Sequence, residues 1–176
     1  LSKVPGQAFL VRDVNGNRSG VVRFTRSPST DRDIRRCSMH FPIYVTHGKA
    51  RVFRVSLLMR VASRTSTVPP SVWMLSNTGG ANFVPSSTSA GPLTNFDNDG
   101  DGVGGRLWRW TWNFSGPNQN LKAKDLHNYR ITVEAIGEHA AGAEFYSDLA
   151  TFHVETNDPR SNSAQTVKAE QFTRVN

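Results

Sequence analysis

The sharpest local pattern in the chain is Asp97-Asn98-Asp99-Gly100-Asp101-Gly102-Val103. Carboxylates at the first, third and fifth positions, a glycine at the sixth and a backbone carbonyl at the seventh reproduce the first half of a calcium loop, in which hard oxygen ligands wrap a cation around a glycine turn. The twelfth position, where such a loop places a bidentate Glu, holds Trp108. The expected site is therefore Asp97, Asp99, Asp101 and the carbonyl of Val103, completed by water or a distant carboxylate, with a calcium affinity of about 0.1 to 1 mM. A solvated, flexible Gly-rich loop without an ion is the alternative reading of the same residues.

A second group of residues points to polyanions. The chain carries a formal charge of +7, and residues 1–40 hold eight basic side chains against three acidic ones, a net +5. Arginine dominates this segment, and its planar fork matches phosphate geometry, so Arg23, Arg26, Arg32, Arg35 and Arg36 are the expected contacts to nucleic acid or another polyanion. They are interspersed with apolar and acidic residues, and a solvated basic face is the competing reading.

Catalytic constellations are missing from the sequence. There is no Gly-x-Ser-x-Gly elbow and no His-Glu-x-x-His pair among His40, His47, His127, His139 and His153. Cys37 stands alone, which rules out an internal disulfide and a cysteine-based zinc site. The glycines at 100, 102, 104 and 105 are interleaved with acids that repel phosphate, so they do not form a phosphate loop. The expectation is a protein without enzymatic activity. No apolar run is long enough for a membrane-spanning helix. Leu1 in place of Met points to a processed product or a fragment, which leaves the address open.

Strands must position these groups. In Arg51 to Val61 the odd positions Phe53, Val55, Leu57, Met59 and Val61 are apolar while Arg54, Ser56 and Arg60 lie opposite, the period of a half-buried strand. Asn128 to Glu138, Asp148 to Thr156 and Leu107 to Phe114 repeat the pattern, the last with Trp108, Trp110, Trp112 and Phe114 on one face. That aromatic stripe is either core or a stacking platform for sugars or bases, and the polar Arg109 and Asn113 opposite favour core. Weaker strand patterns cover Ala8 to Val14, Val21 to Arg26, Phe41 to Thr46, Ser71 to Ser76 and Val167 to Arg174, and a short helix is expected over Ser29 to Met39. Turn signals such as Asn77-Thr78-Gly79-Gly80 separate them. The reading is an all-β, antiparallel sandwich of eight or nine strands forming one domain over residues 1–157, with a projecting loop at 84–105. Residues 158–176 are expected as a polar tail or an added edge strand.

The strands Arg106-Leu107-Trp108-Arg109-Trp110-Thr111-Trp112, Asn128 to Ala135 and Asp148 to Glu155 resemble those of bacterial immunoglobulin-like and fibronectin type III-like sandwich modules, over about residues 41 to 157. The resemblance implies a structural or binding module of an extracellular or cell-surface assembly, with protein partners or self-assembly and no catalytic residue. The same strand number also fits the jelly roll of small viral coat proteins, with the Arg-rich amino-terminal side meeting nucleic acid inside a virion. A calcium-dependent carbohydrate-binding module is a further alternative.

Overall fold

The computed structural model describes residues 9–12, 18–25, 37–42, 48–63, 66–80, 82–94, 105–135, 139, 143–168 and 173–175; before residue 43 and after residue 162 the description is chiefly of backbone pairing. In chain order the strands are β1 (Phe9–Arg12), β2 (Arg18–Thr25), β3 (Cys37–Pro42), β4 (Val52–Ala62), β5 (Ser71–Ser76), β6 (Asn82–Phe83), β7 (Ser87–Thr94), β8 (Gly105–Asn113), β9 (Tyr129–Ala135), β10 (Glu144–Thr156), β11 (Ser163–Lys168) and β12 (Thr173–Val175). Nine of these described strands have six or more residues, so the expected eight or nine strands are present. Helical structure among the described residues is limited to 3-10 turns at Ala123–Asn128 and Pro159–Ser161.

The strands form two sheets, both antiparallel. One runs β1-β2-β10-β4-β8-β7, and the other β12-β3-β9-β5-β6. The chain changes sheet at nearly every step from β2 to β10: β3, β5, β6 and β9 belong to the second sheet, and β2, β4, β8 and β10 to the first. β10 is the longest strand because it serves three partners. One edge pairs with β4 along most of its length; the other pairs first with β2, from Glu144 to Ser147, and then with β11, from Leu149 to Val154.

The apolar faces predicted by alternation meet between the sheets. Val55, Leu57, Met59 and Val61 of β4, Ile131 and Val133 of β9, and Phe152 and Val154 of β10 are buried in one cluster with Trp110, Trp112 and Phe114. Trp110 and Trp112 therefore belong to the core, while Trp108 is only partly buried at its margin. Arg54 lies on the opposite face, as expected, and pairs with Glu155 at 3.3 Å with both side chains about half exposed.

Three expectations need correction. Phe53 was expected in the core and is exposed. The register slips between Glu155 and Thr156, so Val52, opposite Thr156, turns inward with no exposed surface, and Phe53 turns out under the Arg51 guanidinium, 5.6 Å from its ring centroid. Cys37, Ser38 and Met39, expected at the end of a helix, are strand: pairing with Ala135, Glu134 and Val133 of β9 outweighs the local capping pattern. Ser87 to Thr94, expected within a projecting loop, form β7 against β8.

β7 shows how a polar, Gly- and Pro-containing segment can be a strand. It lies at the edge of its sheet, where Pro92 need not donate to a second neighbour, and its register slips between Ala90 and Leu93. Gly91 makes the slip fit: a Cβ there would stand 2.7 Å from the carbonyl oxygen of Leu107. Gly91→Ala is expected to cost about 1 to 3 kcal/mol through displacement of this edge strand, read as a lower urea midpoint. In the turn after β5, Gly79 has a φ of +78°, the conformation for which glycine is the ordinary choice.

Candidate interaction surfaces

The strand termini sort the chain's connections by end. Thr25 lies opposite Glu144, Ala62 opposite Tyr146, Arg106 opposite Val61, and Glu134 between Ser38 and Ser71. The strand ends that bound segments 26–36, 63–70, 95–104 and 136–143 thus all lie at one end of the sandwich. Arg26, Arg32, Arg35 and Arg36 fall in the first of these, and Asp97, Asp99, Asp101 and Val103 in the third; all eight residues lie outside the described ones. Arg23 has a described backbone, within β2 between Phe9 of β1 and Tyr146 of β10. Sequence position alone separated these basic and acidic groups; the pairing of strands brings the strand ends that flank them to one end of the sandwich.

At this end the described residues form an apolar groove of about 460 Å³ between the two sheets. Val68 and Pro69 before β5, Val84 and Pro85 after β6, Trp73 and the half-buried Trp108 line it, and the core residue Trp110 contributes to the lining. Val68 and Val84 are 58% and 66% exposed, which makes the groove rim the most accessible apolar surface besides Leu93 on β7. Among the described residues no lining side chain titrates, and their apolar surface is suited to taking up apolar side chains. Sequence reasoning pointed to Trp108 through the aromatic stripe; Val68, Val84 and Trp73 gave no signal, because their convergence depends on both sheets.

The described histidine side chains His139 and His153 occupy different surroundings. His139 is buried, its Nε2 3.0 Å from the carbonyl oxygen of Pro69 and its ring edge-on to Phe145 at 4.9 Å. His153 is exposed on the outer face of the first sheet, opposite Ser56. Among the described residues no three His, Cys, Asp or Glu side chains gather as a metal site, and no helix is long and apolar enough to cross a membrane. Among the described residues, the Arg160 guanidinium is held above its usual value by hydrogen bonds to Asp158 and by the charge of that carboxylate. It is fully exposed and belongs to the turn after β10.

Compared with known proteins, the chain matches no family model, no curated protein and no solved structure.

Proposed function

We propose that this chain is a non-catalytic building block of a protein shell, a coat protein of the small-virus type, whose arginine-rich amino-terminal side contacts nucleic acid. The observation that carries the reading is the strand order. β2-β10-β4-β8 facing β3-β9-β5-β6, with the chain passing between sheets at almost every connection, is the interleaving expected of two Greek keys wound into an eight-stranded jelly roll. A sandwich closed by a final hairpin would keep its last long strands in one sheet, whereas β9 and β10 lie in opposite sheets. Shell proteins, lectins and cupins all use the jelly roll, and function has to be argued from sites. Cupin-type chemistry needs polar ligands inside the sandwich; here the interior is filled by Leu57, Met59, Trp110, Trp112, Phe145 and Phe152. The net +5 of residues 1–40 supports a nucleic-acid contact.

Purified chain, with and without added RNA, is expected to elute as a large particle at low salt, to show closed shells by electron microscopy, and to fall apart as salt rises. A 19.5 kDa monomer at every salt concentration with RNA present would overturn the shell reading. That outcome would favour a monomeric module of a cell-surface assembly.

A further inference from the structure

At the opposite end of the sandwich a second cleft opens, of about 580 Å³. Its walls come from the end of β5, from β6, from the segment after β8 and from the 3-10 turn that leads into β9. Three rings form a continuous apolar wall. Phe83 meets Phe114 edge-on at 5.3 Å between centroids and Tyr129 at 5.6 Å with a 42° tilt. Phe114 is buried, and Phe83 and Tyr129 are half-buried, so the wall is anchored in the core and partly presented to solvent.

Facing the rings are short neutral side chains and a single carboxylate. Gln119 and Asn120 stand exposed between β8 and the 3-10 turn, and Asn128 ends that turn. The Oε1 of Gln119 accepts the N–H of Gly116 at 3.1 Å, which orients its amide and leaves the two N–H donors to a ligand. The Oδ2 of Asp125 accepts the N–H of Lys122 at 3.0 Å, fixing the carboxylate so that Oδ1 remains for a ligand hydroxyl. Ser76 and Thr78 share a hydroxyl hydrogen bond of 2.9 Å at the rim. Among the described residues no Lys or Arg lines the cleft, and Asp125 is the one carboxylate that does.

We propose that this cleft binds a neutral saccharide of one or two rings. An aromatic wall takes the C–H face of a sugar ring, and amides with one fixed carboxylate take its hydroxyls. The volume lies within the range of small-molecule sites. A phosphate, sulfate or carboxylate ligand would meet the Asp125 carboxylate, while the Arg130 guanidinium at the rim is already engaged by the carbonyl oxygen of Ser76 at 3.5 Å and Oδ1 of Asn77 at 3.0 Å. The inference concerns the end of the sandwich remote from the 26–36 and 95–104 connections and does not depend on the chain forming a shell.

The test is a printed panel of neutral and sialylated mono- and disaccharides with free nucleosides as a separate arm, followed by titration of the best neutral binder into the full chain by two-dimensional NMR. The expected result is binding of at least one neutral saccharide, with shifts confined to residues around Phe83, Asn120 and Tyr129. Asn120→Ala and Asn128→Ala, both exposed and outside the core, are each expected to weaken it about tenfold, and Tyr129→Ala to abolish it. Correct folding of the two asparagine variants is checked by an unchanged melting temperature. No shift with neutral saccharide at about 10 mM, well above the millimolar affinities of weak sites, would overturn the proposal. So would binding indifferent to both asparagine variants, or a preference for sialylated ligands or nucleosides.

Discussion

Trp112→Ala is expected to lower the free energy of unfolding by about 3 to 5 kcal/mol, enough to leave much of a marginally stable domain unfolded. Two terms add. The indole is 1% exposed and packed among the residues between the sheets, so its removal leaves a cavity that the neighbours fill only in part. It also ties the sheets together: Nε1–H of Trp112 in β8 donates to the carbonyl oxygen of Phe83 in β6 at 2.9 Å. Trp112→Phe keeps much of the packing and loses that donor, for an expected cost of about 1 to 3 kcal/mol. Urea unfolding followed by far-UV circular dichroism separates the two variants. Equal losses would show that the packing contributes nothing beyond the hydrogen bond, no loss in Trp112→Phe would show that the hydrogen bond contributes nothing, and a loss below about 1 kcal/mol for Trp112→Ala would contradict its core position.

The second large effect concerns salt. If Arg26, Arg32, Arg35 and Arg36 each neutralise a phosphate, replacing all four by Ala should flatten the plot of log affinity for single-stranded RNA against log salt by about 3 units of slope, because each contact releases about 0.7 of a counterion. At about 100 mM salt the affinity itself should fall by about a thousandfold or more. Arg23→Ala is measured separately, since Arg23 is part of β2 and its loss also perturbs a strand. The strand ends beside the acidic segment 95–104 lie at the same end as those beside 26–36, so Asp97→Asn with Asp99→Asn should shift affinity in the opposite direction, upward. Fluorescence anisotropy at several salt concentrations reads all of these. Binding whose salt slope is the same in parent and variants would show that these arginines are a solvated face.

How much of this was legible in the sequence depends on distance along the chain. β4, β8, β9 and β10 declare themselves by local alternation, because one face of each packs on the other sheet. Phe53 misled for the same reason: alternation assumes an unbroken ladder, and the slip opposite Thr156 is set by a partner strand far away in sequence. β7 lacked any apolar signal, since an edge strand with a bulge at Gly91 needs only its backbone. Thr132 and Glu134 read as a solvent face and are buried, 3% and 4% exposed, on the central strand of the second sheet. The candidate surfaces were the least legible. Trp73 and Trp108 become neighbours only when the two sheets close over one another, and Phe83 and Tyr129 only when β6 and β9 join one sheet on either side of β5.

The position of β10 sets a clock on folding. It is the strand on which β2, β4 and β11 all assemble, yet it begins at Glu144, whereas its partner β2 ends at Thr25. While the chain is being synthesised, β2 waits for the whole stretch from residue 26 to residue 143 before its ladder with β10 can form. The centre of the first sheet therefore closes only after β10 has emerged, and closure must overcome the entropy of a very long loop. Refolding is expected in the slow range typical of all-β topologies, milliseconds to seconds. Fragments ending before residue 144 expose the edges of β2 and β4 together, which makes premature termination, and not the finished protein, the hazard for aggregation.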